Sequence, residues 1–226
     1  MPKLFLLRHL KSQWNLENRF SGWVDVPLSK EGILMAEKIA NEISKFNIDA
    51  IYTSPLIRNK DTVLKVFEHI SKKYPIFIHF SGKMKEWGSF GKSKKENYTP
   101  VYVSEALNER YYGLLQGLNK EKMMKKYGLE KVHLWRRSYN VRPPGGGESL
   151  ADVIKRTTPF YKKYIEKDLK KGKNILVVVS HNSLRALIKY IEKIADKDII
   201  NVEVPFAGMI EYEFDRDLKL KRRKIY

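Results

Sequence analysis

Cysteine is absent from the 226-residue sequence, which excludes disulfide bonds and thiol chemistry. Long apolar runs are absent as well, because no stretch approaches the ~18 residues that a membrane-spanning helix needs. An apolar strand pattern begins within a few residues of Met1, so no secretory signal is expected. No group of histidines and carboxylates has the spacing of a metal site. These absences predict a soluble, cytoplasmic protein without a metal ion.

Acidic residues are scarce beside basic ones, 26 against 44, and the formal net charge is +18. Such an excess favours anionic partners, which include nucleic acid, acidic membrane surfaces and phosphorylated metabolites. The lysines are spread along the chain, so a lysine-rich solvated surface explains the charge more simply. Only the stretch 83–98 mixes basic and aromatic residues as nucleic-acid-binding modules do, which leaves that function as a remote alternative. We expect neither nucleic acid nor a membrane among the partners.

Strand and helix patterns alternate along the chain. Short apolar runs predict strands at 4–7, 49–54, 76–80, 101–104, 174–180 and 209–214. Apolar residues at helical spacing predict helices after the N-caps Ser29, Ser54 and Asn119, over 150–172, and after His181. This alternation is typical of an α/β three-layer sandwich with a mostly parallel central sheet and helices on both faces.

The chain length and the 42% apolar content are sufficient for one sizeable core, and we expect residues 1–226 to form a single domain. The polar, glycine-containing segment near 81–100 is predicted to be an inserted surface loop. The basic residues at 219–224 are predicted to form a mobile C-terminal tail. Whether the chain forms a homodimer is left open.

Two histidines follow buried strands: His9 comes after Arg8 at the end of the first, and His181 after the most apolar one. Ligands of open α/β sheets bind beyond the carboxyl ends of the strands. Arg58 lies at the start of the helix after the second strand and therefore faces the same edge. Guanidinium groups bind phosphate through two parallel hydrogen bonds, so these residues predict a site for a phosphorylated ligand.

The chemistry of this edge depends on a neutral imidazole and on a proton carrier. A histidine among several arginines resists protonation, which leaves a ring nitrogen able to attack phosphorus. Glu109, in the segment after the strand at 101–104, is the candidate general acid and base.

Several motifs carry a resemblance to a known family. The stretch RHLKSQWNLENRFSGWVDVPLSKEG at 8–32 resembles the N-terminal signature of the histidine phosphatase superfamily. The motifs TSPLIRNKDT and SHNSLRALIKYIE extend the similarity. LNERYYGLLQGLNK together with WRRSY is more specific and resembles the cofactor-dependent phosphoglycerate mutase branch. Together these motifs span most of the chain except the 81–100 segment and the tail.

The resemblance implies a phosphoglycerate mutase-like fold and an isomerase of glycolysis and gluconeogenesis, which interconverts 3- and 2-phosphoglycerate with 2,3-bisphosphoglycerate as phosphoryl primer. It implies that His9 is the phosphorylated nucleophile and that Glu109 moves the protons of the substrate hydroxyls. Arg8, Arg58 and His181 would then surround the transferring phosphoryl group. The residues that the resemblance assigns to substrate binding are Asn15, Ser21, Gly22, Arg110, Tyr112, Lys120, Arg136, Arg137 and Asn182.

The chain departs from the family pattern at a few positions. Leu10 and Lys11 follow His9 where the family has glycine and then glutamate or glutamine. Because leucine has a Cβ, the backbone after His9 is expected either to adopt a conformation open to all residues or to be strained. Asn182 follows His181 directly, without the usual glycine between them. Only NVRPPGG separates WRRSY from GESL, which resembles forms with a short lid. A short lid admits water, so a histidine phosphatase that hydrolyses small phosphate monoesters stays open as the alternative.

Overall fold

A computed structural model describes residues 1–70, 73–90 and 97–226. Its centre is a seven-stranded sheet in the order β3-β4-β2-β5-β1-β6-β7. The strands are β1 (Lys3–Arg8), β2 (Ala50–Thr53), β3 (Tyr74–His79), β4 (Tyr98–Val103), β5 (Ile175–Val179), β6 (Met209–Phe214) and β7 (Leu220–Ile225). The first five pair in parallel, whereas β6 and β7 are antiparallel to their neighbours. The prediction of a mostly parallel sheet is confirmed.

Helices cover both faces of the sheet. They are α1 (Gln13–Leu16), α2 (Lys30–Ile33), α3 (Ala36–Ile43), α4 (Ile57–Glu68), α5 (Gly82–Trp87), α6 (Lys120–Tyr127), α7 (Leu129–Arg137), α8 (Leu150–Phe160), α9 (Glu166–Lys170) and α10 (His181–Glu192). Successive residues of a strand point to opposite faces, and two apolar cores result. One packs alternate residues of β1, β2 and β5 against α8, α9 and α10. The other packs the remaining strand residues against α3 and α4. The predicted three-layer α/β sandwich is confirmed.

The C-terminal tail, predicted to be mobile, is the edge strand β7. Its backbone pairs with β6, while all six of its side chains are exposed. Its only apolar residues are at its two ends, so it has no apolar alternation, which is why the sequence pattern missed it. Its charged side chains protect the sheet edge against further pairing.

The segment near 81–100 differs in part from the predicted loop. It contains the short helix α5, whose residues are all exposed. It also ends earlier than predicted, because β4 begins at Tyr98 rather than at 101. Residues 91–96 of the predicted loop lie outside the described residues.

Two predicted helices are interrupted. The helix after Ser29 divides into α2 and α3, and the Ser29 hydroxyl caps α2 by accepting a hydrogen bond from the Gly32 N–H at 3.0 Å. The helix predicted over 150–172 contains a π-helical turn at Tyr161–Ile165 between α8 and α9. Pro159, which has no N–H to donate, precedes this turn and accounts for it.

Among the residues described, no helix combines the length and the apolarity needed to cross a membrane.

Candidate active site

A cavity of about 260 Å³ opens at the carboxyl ends of β1, β2 and β5. These ends coincide because Arg8 is in register with Val179, and Thr53 with Val178, in parallel pairs. The chain segments that leave the three strands therefore begin side by side. The cavity is lined by Arg8, His9, Asn15, Asn18, Arg19, Phe20, Ser21, Gly22, Arg58, Glu109, Tyr112, Lys120, Arg136, Arg137, His181, Asn182, Glu203 and Phe206.

His9 is held in one orientation directly after β1. Only 3% of the residue is exposed, and its N–H donates to the carbonyl of Val179 at 3.1 Å. Its Nδ1 lies 2.6 Å from the carbonyl oxygen of Leu10. Because a carbonyl can only accept, Nδ1 carries the hydrogen, and the lone pair resides on Nε2. Burial lowers the pKa of His9 well below its usual 6.5, and the charges of Arg58 and Arg8 lower it further, so the ring is neutral at pH 7.

Leu10 occupies the position after His9 without backbone strain, since its φ lies outside the left-handed region. Its side chain is fully buried in the core on the α3 and α4 face of the sheet. Its N–H donates to the hydroxyl of Thr62 at 3.0 Å. The departure from glycine is therefore accommodated by burial, and the Leu10 carbonyl still orients the imidazole.

Two arginines flank the imidazole. Arg58, on the first turn of α4, donates to the carbonyls of Val24 at 2.9 Å and Gly22 at 2.6 Å. Arg8 donates to the Val204 carbonyl at 2.5 Å, and its guanidinium lies 3.8 Å from the centre of the Phe206 ring. Burial lowers the pKa of both arginines to about 10, so both remain cations at neutral pH.

Gly22 has a structural reason for being glycine. Its φ is +54°, and a Cβ there would lie 2.1 Å from the side-chain oxygen of Gln116. The same oxygen accepts the Trp23 N–H at 2.8 Å, and the Trp23 indole donates to the Glu109 carbonyl at 2.6 Å. The FSGW turn is thereby tied to the segment that carries Glu109.

Glu109 is a buried carboxylate held by backbone N–H groups. Its Oε1 accepts from the N–H of Arg110 at 2.6 Å and from the N–H of Asn182 at 3.2 Å. Burial by itself would raise the pKa of this carboxyl group. These two hydrogen bonds and the positive charge of Arg58 outweigh burial, so the pKa is lowered and Glu109 is ionised at neutral pH.

His181 is the first residue of α10, and Ser180 is the N-cap of that helix. Its Nε2 lies 3.3 Å from Oε1 of Glu203. Burial is the largest influence and lowers the pKa of His181 to about 4, against the opposing effect of Glu203. Asn182 directly after it donates its backbone N–H to Glu109 and its side-chain amide to the Tyr112 hydroxyl at 3.1 Å. The first turn of α10, which directly follows β5, is thus linked to Glu109.

Further cations line the cavity from α6 and α7. Lys120 begins α6, where burial, followed by the charge of Arg136, lowers the pKa of its ammonium group to about 8. Arg136 and Arg137 are at the end of α7. A cavity with this lining is suited to a small ligand that carries several negative charges.

The structure brings together every residue that the sequence proposed for the site except Arg110. That side chain is fully buried, and its guanidinium donates to the carbonyls of Trp135 at 2.7 Å and Ser138 at 3.5 Å. Arg110 therefore differs from the prediction: it lies behind the cavity wall and holds the end of α7.

The sequence did not point to five of the residues that line the cavity: Asn18, Arg19, Phe20, Glu203 and Phe206. The first three lie within the quoted N-terminal motif and could have been found there. Glu203 and Phe206 lie between α10 and β6, in a stretch with no motif. Within the described ranges, no group of three or more His, Cys, Asp or Glu side chains is arranged to hold a metal ion.

Comparison with known proteins gives consistent results. The family model of the histidine phosphatase superfamily, branch 1, matches residues 4–92 and 89–223. A 2,3-bisphosphoglycerate-dependent phosphoglycerate mutase of Methanococcus vannielii is 45% identical over 216 residues, which cover 95% of this chain and 92% of that protein. The enzyme with the same name from Protochlamydia amoebophila is 43% identical over 227 residues, 99% of this chain and 100% of the other.

Solved structures show the same fold. A mycobacterial glucosyl-3-phosphoglycerate phosphatase, in complex with VO3, matches with a TM-score of 0.75 at 21% identity. The match covers 100% of this chain and 97% of the phosphatase chain. Bacillus stearothermophilus YhfR has a TM-score of 0.75 at 20% identity, with coverage of 98% and 95%. At sequence identities this low, the similarity shows a shared fold and nothing further.

Proposed function

The chain belongs to the histidine phosphatase superfamily, and from this we propose that it is a phosphoglycerate mutase primed by 2,3-bisphosphoglycerate. The reaction interconverts 3- and 2-phosphoglycerate through a phosphohistidine at His9. The observation that carries the proposal is the neutral His9 ring, with Nδ1 bound to the Leu10 carbonyl, in a cavity lined by Arg8, Arg58 and Glu109. Relatives that share 43–45% identity over nearly the whole chain and bear this enzyme name support it.

In the priming half-reaction, His9 Nε2 attacks a phosphorus atom of the bisphosphorylated ligand. The N–P bond forms as the bond between phosphorus and the sugar-acid oxygen breaks, and Glu109 supplies the proton that this oxygen takes up. Glu109 must be protonated for this step. The negative charge of a bound ligand raises the pKa of a neighbouring carboxyl group and favours that state.

In the return half-reaction, a hydroxyl of the bound monophosphoglycerate attacks the phosphorus on His9. Glu109 accepts the hydroxyl proton, the P–N bond breaks, and His9 returns to its neutral form. Arg8 and Arg58 neutralise the charge on the phosphoryl oxygens in both directions. Because their positions are fixed by hydrogen bonds to backbone carbonyls, little reorganisation is needed during transfer.

The residues present fit a ligand with two phosphates and a carboxylate. The buried Nε atoms of Arg8 and Arg58 and the hydroxyl of Ser21 have no hydrogen-bond partner within the described residues. Donors of this kind are suited to phosphate oxygens. Lys120, Arg136 and Arg137 add positive charge to the lining of the cavity.

One observation favours a phosphatase as the second candidate. The connection between α7 and α8 spans only residues 138–149, and none of these lines the cavity. With so short a cover, water has access to a phosphohistidine. The names of the relatives favour the mutase over this alternative.

The test follows the fate of the phosphoryl group. Purified protein is incubated with 3-phosphoglycerate, with and without 2,3-bisphosphoglycerate, and both 2-phosphoglycerate and inorganic phosphate are measured. We expect 2-phosphoglycerate to form only after priming, with little release of phosphate. Phosphate release that exceeds 2-phosphoglycerate formation would establish the phosphatase instead.

The same assay tests the nucleophile. In His9→Ala, we expect turnover to fall by at least about 10³-fold, because the group that forms the covalent bond is gone. Labelled 2,3-bisphosphoglycerate should place phosphate on His9 of the wild type and leave His9→Ala unlabelled. Label at another residue would refute the assignment.

We also propose the setting in which this enzyme works. Its partners are small phosphoglycerates, and we expect it to act in the cytoplasm as a single domain of 226 residues. Light scattering of the purified protein would determine whether it is a monomer or a homodimer. One cooperative unfolding transition, seen equally by tryptophan fluorescence and circular dichroism, is the expected signature of the single domain.

A further inference from the structure

A carboxylate lies inside the group of cations that the substrate is proposed to occupy. Glu203 lines the cavity from the segment between the 3-10 turn Ile199–Asn201 and β6. Its Oε2 is paired with Nη1 of Arg137. Its Oε1 lies 3.7 Å from Nη1 of Arg8 and 3.3 Å from Nε2 of His181. One side chain therefore contacts three groups that surround the cavity.

This carboxylate is ionised and in part compensates the positive charge of the site. Burial would raise the pKa of Glu203, but its contact with His181 and the charge of Arg137 lower it to about 2. An anionic group of the substrate placed beside Arg137 would lie close to the negative charge of the Glu203 carboxylate, which is already paired with that arginine. Like charges at such separations repel strongly when they are partly shielded from water.

The backbone near Glu203 is fixed, whereas its side chain has room to move. The Val204 carbonyl accepts a hydrogen bond from Arg8, and the Phe206 ring packs against the same guanidinium. The N–H of Arg8 donates to the Gly208 carbonyl at 3.0 Å, which anchors the far end of the segment. The Glu203 side chain is 51% exposed. Rotation about its own bonds would take the carboxylate to solvent without moving the segment.

We propose that Glu203 is an internal counter-anion that competes with the anionic substrate for Arg8, Arg137 and His181. The inference rests on the proposed function only in taking this cavity as the place where a phosphorylated ligand binds. A ligand must displace the carboxylate from these groups, so Glu203 weakens the binding of every anion at the site. Because every such ligand must displace the same carboxylate, Glu203 lowers the affinity for all of them by the same factor.

The test is Glu203→Gln, which keeps the shape of the side chain and removes its charge. Binding of inorganic phosphate and of 3-phosphoglycerate is measured by calorimetry for the wild type and the variant. We expect both ligands to bind at least about tenfold more tightly to the variant, by similar factors, and the KM for 3-phosphoglycerate to fall. Glu68→Gln is the matched control, because it removes the same charge from an exposed pair with Lys65 on α4. Its affinities should equal those of the wild type.

Glu203→Ala is measured in parallel. It removes a half-exposed side chain and leaves no buried polar group of its own, and circular dichroism verifies that both variants are folded. Unchanged or weaker phosphate binding in either folded variant overturns the proposal. A lower kcat with unchanged affinities overturns it as well, since Glu203 would then act only by orienting His181.

Failure of the proposed function has a different signature. If the wild type lacks mutase activity while Glu203→Gln binds phosphate more tightly, the counter-anion stands and the mutase assignment falls. If mutase activity is present while the substitution leaves the phosphate affinity unchanged, the mutase assignment stands and the counter-anion role of Glu203 is refuted.

Discussion

At the scale of single residues, the imidazole of His9 can attack phosphorus only in the tautomer that leaves Nε2 unprotonated. The carbonyl of Leu10, at 2.6 Å from Nδ1, selects this tautomer. Burial of the ring, and after it the charges of Arg58 and Arg8, lower the pKa of His9 well below 6.5 and keep the imidazole neutral. The nucleophile is therefore prepared by both of its neighbours in sequence, Arg8 and Leu10, and by the distant cation Arg58.

Glu109 is the residue whose proton balance decides both half-reactions. In Glu109→Gln the hydrogen-bonding shape is largely retained, but no proton can be accepted or released. We expect kcat to fall by about 10²- to 10⁴-fold, which is the range that general acid–base catalysis supplies.

Steady-state mutase assays measure this loss of turnover. Labelling of His9 by 2,3-bisphosphoglycerate in a rapid-quench experiment should slow as well, because the leaving oxygen lacks its proton donor. A variant with wild-type turnover would exclude Glu109 from this role.

The buried histidines predict how stability depends on pH. The folded His181 has a pKa of about 4, whereas an unfolded histidine has one of about 6.5. Between these values the unfolded chain binds a proton that the folded chain does not, so the free energy of unfolding falls as the pH is lowered through this window. We expect His181→Gln to remove about 2 kcal/mol of the decrease between pH 6.5 and 4.5.

Urea unfolding at a series of pH values measures this difference. His133→Gln, which removes an exposed histidine on α7, is the control and should follow the wild-type curve. An equally steep decrease in His181→Gln would contradict the prediction.

At the scale of elements, the turn after β1 and the start of α4 are joined by one hydroxyl. Thr62 accepts the Leu10 N–H at 3.0 Å and donates to the Arg58 carbonyl at 2.7 Å. The nucleophile follows β1 and a phosphate-binding arginine is on α4, so this hydroxyl keeps their spacing. Thr62 is a positioning residue, since it does not line the cavity.

Thr62→Val should therefore weaken both the fold and the reaction. The isosteric substitution leaves the buried Leu10 N–H without an acceptor, which costs about 1–3 kcal/mol. We expect that loss in urea unfolding, together with slower phosphorylation of His9.

Thr62→Ser restores the hydroxyl and is the matched control. It should recover the rate of phosphorylation even where some stability is lost with the methyl group. Equal rates in the valine and serine variants would show that the hydroxyl has no positioning role.

At the scale of the whole molecule, the sheet carries the site at one end and is closed by a charged edge strand. β6 lies between β1, which leads to His9, and β7. The last residue also holds β6, because the Tyr226 hydroxyl donates to Glu211 at 2.6 Å and its N–H to the Met209 carbonyl at 3.0 Å. The C-terminal segment is thus part of the sheet that positions the catalytic strand.

Removal of residues 219–226 should expose the backbone groups of β6 as a new edge. We expect the Tm to fall by about 5 °C or more and the protein to associate, because an unpaired apolar edge invites strand pairing. Calorimetry and light scattering measure the two effects.

The control for this truncation retains the strand but lowers its charge, as in the double variant Arg222→Gln, Lys224→Gln. Its Tm should remain close to that of the wild type, since the backbone pairing is kept. A truncated protein with the same Tm and the same mass as the wild type would contradict the prediction.

The amino-acid sequence by itself determined the layered α/β fold and most members of the site. Apolar runs report burial directly, and parallel strands bring their carboxyl ends to one edge. For this reason Arg8, His9 and His181 could be expected to meet before any contact was known. Arg58 and Glu109 could be placed at the same edge because each follows a strand of that sheet.

Only the tertiary structure decided what these residues touch. The Arg110 guanidinium faces the end of α7 rather than the cavity, a choice made by carbonyls 25 residues and more away in sequence. Strand β7 is held by backbone pairing, which leaves no trace in hydropathy. Glu203 lies in a segment without a motif, and its place depends on contacts with the end of β1, the end of α7 and the start of α10. Local patterns record burial and backbone preference, whereas contacts between distant segments exist only once the chain is folded.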